Sequence, residues 1–301
     1  MLNLLIPLLE KEPIIIEVEA PVVIAGDTHG QLQDLFRFFN QIGPPPHKKY
    51  LFQGDYVDRN PNDVEVITLL FAYKLRYPGY VNMLRGNHEC RMINQIYGFK
   101  DSCKRTFDRD GLKVWKKFCQ AFQNLPVCAL IDEKIFCMHG GISKSIHSLD
   151  YIRKTKKPEN IPDDGLLCDL MWADPEKNQR STYEFNASRG VGVTFNEQAV
   201  EDICNKLDID LISRSHQVVE DGYEFFADRR LVTIFSAPGY MGDFDNDGAM
   251  MDVDETLMCK FIKVKCENKK PSGFLKKTET SIGRGGAIGR GFRRGGFPGN
   301  F

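Results

Sequence analysis

The sequence predicts a mixed α/β domain with a β-rich finish. Three observations carry that prediction. Short apolar runs of strand length recur, and each ends in glycine or polar residues. Amphipathic stretches with helical spacing lie between them. The last apolar stretches follow one another with no helix between.

The elements follow in order. "PVVIAGD" (21–27) is rich in β-branched residues and breaks into Gly26, Asp27, Thr28, His29 and Gly30. "QLQDLFRFFNQI" (31–42) has helical apolar spacing, and "KYLFQGD" (49–55) is the second strand. "NDVEVITLLFAYKLRY" (62–77) predicts a helix and "YVNMLRGN" (80–87) a third strand. "LKVWKKFCQAFQNL" (112–125) is helical in pattern, and "KIFCMHGG" (134–141) returns to strand. "GYEFFADRRLVTIFSA" (222–237) and "GAMMDVDETLMCKFIKVK" (248–265) read as strands, the first running on into the loop after "LVTIFSAPG".

Composition bounds the possibilities. The 301 residues are 42% hydrophobic, ample for a core, and 27% charged. No apolar run approaches the ~18 residues of a membrane span. The N-terminus, "MLNLLIPLLEKEP", lacks a basic start and a cleavage site, so no signal peptide is expected. Nine cysteines with no C-x-x-C pair suggest reduced thiols in the cytoplasm or nucleus. On that ground the triplet Asn186-Ala187-Ser188 reads as a chance match to a glycosylation acceptor. The last 19 residues hold eight glycines, four arginines and no acid. Without those arginines the chain has 36 basic and 41 acidic residues, a formal −5. The expected division is a short segment 1–13, a domain 14–266 and a disordered Gly/Arg-rich tail 267–301.

Chemistry collects where the predicted strands end, the place where α/β folds build sites. The first strand gives Asp27 and His29, and the second Asp55, Asp58 and Arg59. The third gives Arg85, Asn87, His88 and Glu89, the fourth His139, and "SRSHQ" adds His216. Four of the six histidines lie in these segments; His47 and His147 read as surface residues. Carboxylate, imidazole and amide oxygen together suit Mn, Fe or Zn. One such histidine alone would more simply be a structural residue; five such segments in one chain are a metal centre. The donors suffice for two metals, with Asp55 a natural bridge. Such a centre suits phosphoester hydrolysis, with arginines clamping the phosphoryl oxygens and a protonated histidine serving the leaving oxygen.

"GDTHG", "GDYVDRN" and "RGNHE", in that order and spacing, resemble the signature motifs of the PPP family of protein serine/threonine phosphatases. The resemblance runs from about Ile14 to Cys266. "DEKIFCMHGG", "HQVVEDGYEFFADRRLVTIFSAP" and "GAMMDVDETLMCKF" look like the type-1 catalytic subunits rather than type-2A or calcineurin. The resemblance implies a metallophosphoesterase fold, a central β-sandwich flanked by helices with a dinuclear metal site at strand ends. It implies Asp27, His29 and Asp55 for one metal, and Asp55, Asn87, His139 and His216 for the other. Mn²⁺ would serve in vitro and Fe or Zn in cells. Arg59 and Arg189 would bind phosphate, with Tyr240 lining the site. His88 would be the general acid, oriented by Asp58. The implied reaction is one-step hydrolysis of phosphoserine or phosphothreonine in phosphoproteins by a metal-activated hydroxide.

Type-1 catalytic subunits also bind R-V-x-F-type segments of regulatory subunits. The matching groove positions are Ile135, Leu211, Phe225, Leu257, Cys259 and Phe261, with Asp132, Glu133 and Asp210 nearby. Read without the family, those six are strand core.

The chain departs from the family at Thr28, at Asn60, where a glycine is usual, and at Gly239 and Met241 around Tyr240. Asn60 is the next best residue if its backbone needs positive φ. Residues 178–188 fit the family poorly, and the helices that usually precede Ile14 are missing. A catalytically weak scaffold is therefore the alternative reading, and a phosphodiesterase or nuclease on the same metal core a third. "DFDNDGAMMDVD" (243–254) begins like a calcium loop, but Asp254 stands where a bidentate Glu is favoured. The Gly/Arg tail reads first as a solubilising segment and second as a single-stranded RNA contact.

Overall fold

A computed structural model describes residues 1–267. Beyond Glu267 the expected tail, with its RNA reading, lies outside the described residues.

The strands are β1 (Ile15–Val18), β2 (Val22–Ala25), β3 (Tyr50–Phe52), β4 (Val81–Met83), β5 (Cys128–Ile131), β6 (Ile135–Met138) and β7 (Asp174–Pro175). They continue as β8 (Tyr183–Phe185), β9 (Val193–Phe195), β10 (Leu211–Arg214), β11 (Tyr223–Phe226), β12 (Leu231–Ile234), β13 (Gly248–Val253) and β14 (Cys259–Val264). The helices are α1 (Leu2–Lys11), α2 (Leu32–Ile42), α3 (Asp63–Arg76), α4 (Arg91–Asn94) and α5 (Phe99–Phe107), then α6 (Gly111–Gln123), α7 (Leu149–Arg153), α8 (Leu166–Trp172) and α9 (Glu197–Leu207).

One mixed sheet has the order β1-β5-β6-β10-β12-β11, and a second β14-β13-β2-β3-β4. The two pack face to face. Val22 and Ile24 of β2, Leu51, and Met251 of β13 meet Ile131, Cys137, Val232 and Ile234 of the other sheet. The alternate β2 residues, Val23 and Ala25, face the other way onto α1, α2, α3 and α6. Both faces of β2 are therefore buried, which is why its text is uninterrupted apolar rather than alternating. Helices α7, α8 and α9 cover the outer face of the six-stranded sheet, beside the small sheet β7-β9-β8. The expected sandwich between helical layers is what the chain forms.

The topology positions the site. β2, β3 and β4 run parallel, as do β6, β10 and β12. A parallel bridge from Asp27 to Phe235 joins the C-terminal ends of β2 and β12 across the two sheets. The loops that carry the chemistry therefore leave both sheets at one end.

The sequence reading assigns no element to residues 1–13, yet α1 buries Leu5, Ile6 and Leu9 in the core shared with α3 and α6. Lys157 fastens its end by donating to the carbonyls of Leu9, Glu12 and Asn124 at 2.8, 2.8 and 2.7 Å. The calcium-loop text forms no helix–loop–helix. Asn246 accepts from the Tyr240 amide at 3.0 Å, Asp247 accepts from Lys265 at 2.6 Å, and β13 follows at once.

Candidate dinuclear metal centre

The strand-to-loop transitions are sharp, and their backbone is unusual. His29, Asp55, Asp58, Arg59 and His216 all have positive φ, between 38° and 76°. Non-glycine residues hold such φ values only where surrounding structure enforces them, commonly at functional sites. Asn60 is not among them: the left-handed positions are Asp58 and Arg59. Asn60 instead donates its side-chain amide to the His29 carbonyl at 2.9 Å, tying the Arg59 loop to the His29 loop. Two glycines are required by space. Gly54 has φ +108°, and a Cβ on Gly86 would stand 2.2 Å from Asp55 Oδ1.

A buried carboxylate braces this corner. Glu89 accepts from the amides of Asp55 (2.7 Å), Tyr56 (2.9 Å) and Gly86 (3.0 Å). Burial, with the Asp55 charge next, lifts its pKa to about 8. Arg85 reaches from the same loop to the carbonyls of Glu89, Pro158 and Glu159.

Four donors converge on one side. His139 Nδ1 donates to the Gln53 carbonyl at 3.0 Å, which turns Nε2 inward, and although burial opposes it, the neighbouring Asp55 carboxylate raises the ring's pKa. That Nε2 lies 2.8 Å from Asn87 Oδ1, 3.1 Å from His216 Nδ1 and 3.3 Å from Asp55 Oδ2. Burial, and next the Arg189 charge, hold His216 well below its ordinary pKa, so its ring is neutral. Imidazole nitrogens, an amide oxygen and a carboxylate oxygen gathered this closely need positive charge among them, which a proton or a bound cation supplies. The donor set therefore fits a divalent metal.

The second set adjoins it. His29 Nδ1 donates to the Val57 carbonyl at 2.8 Å, turning Nε2 toward Asp27 Oδ2 (3.6 Å) and Asp55 Oδ2 (3.5 Å). Burial would lower the His29 pKa, but the hydrogen bond to Asp27 and the charges of Asp55 and Asp27 outweigh it, raising it to about 9. The pocket thus favours positive charge. Asp55 serves both sets: burial would raise its pKa, and the rings of His139 and His88 outweigh that and hold it well below the carboxylate range. Two clusters, His29–Asp55–His88 and Asp55–His139–His216, bring ligand atoms within 4.8 Å of one another. Asp27 stands at the rim, with Oδ1 accepting from Ser215 Oγ and from the His216 amide at 3.1 Å.

His88 differs from its neighbours. Its Nδ1 is 2.6 Å from Asp58 Oδ2, while Asp58 Oδ1 accepts from the Phe99 amide at 2.8 Å. The His88 amide donates to Asp55 Oδ1 at 2.9 Å, and Nε2 faces the centre 3.9 Å from Asp55 Oδ2. A ring fastened to a carboxylate with its other nitrogen free is the arrangement of a proton donor.

The remaining predicted site residues line the opening. The Tyr240 ring lies 5.2 Å from that of His29, and Arg59 lies 4.1 Å over Tyr97. Arg189 donates through Nε to Asp174 Oδ2 at 2.9 Å and through Nη2 to the His216 carbonyl at 3.2 Å. Gly239 has φ +58°, and the Cys266 sulfur lies 2.9 Å from where its Cβ would stand, so a larger residue is crowded there. Met241 beside it is 45% exposed.

Sequence reading missed the partners that hold these groups. Asp174 joins Arg189 to Arg214, whose Nη2 donates to Asp174 Oδ1 at 2.9 Å. Ser215 meets Asp27 through its side-chain hydroxyl, and Gln53 meets His139 through its main-chain carbonyl. "SRSHQ" contains Arg214 and Ser215, but only its histidine carries a signal by residue type. The six groove residues lie apart from the centre. They gather on the sandwich core near the edge strands β11 and β14, where the rings of Phe225 and Phe261 sit 5.8 Å apart.

Comparisons with known proteins agree with this geometry. The family of calcineurin-like phosphoesterases matches residues 20–220. A protein serine/threonine phosphatase from Saccharomyces cerevisiae, described as similar to human phosphatase PP5, superposes with a TM-score of 0.80. It is 28% identical over 90% of this chain and 89% of its own. A cold-active protein-tyrosine phosphatase from a Shewanella species shares the fold at a TM-score of 0.60 and 15% identity, over 86% and 84% of the two chains.

Proposed function

From the chain's membership of the calcineurin-like phosphoesterase family, we propose that it is a protein serine/threonine phosphatase catalytic subunit acting on phosphoserine and phosphothreonine. The observation that carries the reading is Asp55, shared between two convergent donor sets, with the His88–Asp58 pair beside it. Asp27, His29 and Asp55 would hold one divalent cation, and Asp55, Asn87, His139 and His216 the other. When bound, two such cations polarise the phosphoryl oxygens and lower the pKa of water from 15.7 towards ~7.

The chain's own residues do the rest. Arg59 and Arg189 approach the phosphoryl oxygens, and their planar heads suit bidentate contact. Asp58 fixes the His88 tautomer and stabilises the imidazolium, so that Nε2 carries a proton toward the leaving serine or threonine oxygen. Tyr240 packs against His29 at the mouth. The test is substrate choice. Purified protein with Mn²⁺ should release phosphate from a phosphothreonine peptide far faster than it cleaves bis-p-nitrophenyl phosphate; the reverse preference would make it a diesterase.

We propose further that regulatory subunits dock through R-V-x-F-type segments along β14. An edge strand can accept another strand, while Phe225, Leu257 and Phe261 offer pockets for alternate side chains. A fluorescent R-V-x-F peptide should bind, and Phe261→Ala should weaken it about tenfold or more. No binding at high micromolar peptide would remove the groove.

A further inference from the structure

Residues 178–188, which fit the expected family pattern poorly, contain a side chain that does something specific. Asn186 follows β8 and is 1% exposed. All four of its polar groups are engaged. Its amide donates to the Gly192 carbonyl at 3.1 Å, and its carbonyl accepts from Gly190 at 2.9 Å, closing the loop between β8 and β9 on itself. Its Oδ1 accepts from the Arg189 amide at 3.2 Å, and its Nδ2 donates to Asp174 Oδ2 at 3.0 Å.

Asp174 Oδ2 is the same oxygen that takes Arg189 Nε at 2.9 Å. Asn186 therefore grips Arg189 twice, at its backbone and through the carboxylate that aims its guanidinium. Without it, Arg189 would ride on a loop whose Gly190 and Gly192 both have positive φ, with only Asp174 and the His216 carbonyl to direct its head. A flexible arginine side chain loses much rotamer freedom when it clamps an anion, and a guanidinium aimed beforehand loses less. We propose that Asn186 is a positioning residue, holding Arg189 in its phosphate-facing pose so that the clamp is formed before the ligand arrives. The proposal rests on the reading of Arg189 as a phosphate group's partner.

The test measures phosphate binding rather than turnover. Inorganic phosphate is titrated calorimetrically into Mn²⁺-loaded protein: wild type, Arg189→Ala, Asn186→Ala and Asn186→Asp. Bound metal and thermal midpoint are recorded for each. Arg189→Ala and Asn186→Ala should both weaken phosphate binding, the second by about five- to tenfold for the loss of two bonds around a charged group. Bound Mn²⁺ should be unchanged. Asn186→Asp keeps the volume and the acceptor for the Arg189 amide but sets a second carboxylate against Asp174, and it too should weaken binding. If Asn186→Ala does not fold, Asn186→Asp alone decides. Loss in Arg189→Ala with wild-type affinity in the folded Asn186 variants overturns the positioning role. Wild-type affinity in Arg189→Ala overturns the phosphate reading of Arg189, and the positioning role falls with it.

Discussion

At the scale of residues, the centre is defined by which nitrogen each histidine spends on the protein. His29 and His139 spend Nδ1 on carbonyls and turn Nε2 inward, whereas His88 spends Nδ1 on a carboxylate. On that difference the proposed function reads His29 and His139 as ligands and His88 as the acid. His88→Asn should cut turnover by about 10²- to 10⁴-fold while bound metal stays constant, as read by metal analysis beside phosphate release. Unchanged turnover would remove His88 from the acid role. A second prediction concerns Asp169, whose Oδ2 accepts from Ser143 Oγ at 2.5 Å. Burial, the largest cause, lifts its pKa from 3.8 to about 6 against the pull of that bond. The folded state therefore holds the proton more tightly than the unfolded one, and this group's contribution to stability falls as pH climbs from 3.8 to about 6. In chelator, Asp169→Asn should give a flatter denaturation midpoint across that window than wild type; an identical slope would count against it. Residue type made the proposed ligands legible: carboxylates and imidazoles gathered at several strand ends at once point to a metal where a single one would not. Glu89, Asp174 and Asn186 were not legible as braces, because their partners are backbone amides and distant side chains that spacing does not bring together.

At the scale of elements, the strands that read most easily are those buried on both faces. β2, β3 and β6 are continuous apolar runs, and each ends in the polar loop that its text announces. Helix α1 escaped because its stretch is short, carries Pro7 and is apolar almost without a break, so no helical periodicity marks it despite its leucines. Packing decides it instead: Leu5 and Leu9 are fully buried against α3 and α6. Leu9→Ala should cost about 2–5 kcal/mol and lower the thermal midpoint by several degrees, with metal content unchanged. A midpoint equal to wild type would mean that α1 contributes little to the core. The segment around β8 shows the converse. Its text departs from the expected pattern, yet the structure uses it to close the loop that carries Arg189.

At the scale of the molecule, two sheets deliver one site. The sheet with β2, β3 and β4 supplies Asp27, His29, Asp55, Asn87 and His88 from the loops after those strands; the sheet with β6 and β10 supplies His139 and His216. Neither sheet alone carries the full donor set, so metal binding should couple to the integrity of the whole sandwich. Among the described residues no helix is long and apolar enough to cross a membrane, and all nine cysteines are free. A mixed α/β domain was legible from alternating strand and helix text, and the sandwich was implied by the family resemblance, but strand order was not legible, because which edges meet depends on long-range pairing. The central claim is that this centre hydrolyses phosphomonoesters with the help of divalent metal and an oriented acid. It is tested most directly by phosphate release from a phosphothreonine peptide, with Mn²⁺ and after chelation, beside Asp58→Asn. Metal-dependent release that collapses in the variant is the predicted result. No release from folded, metal-loaded wild-type protein would contradict the claim and leave a scaffold.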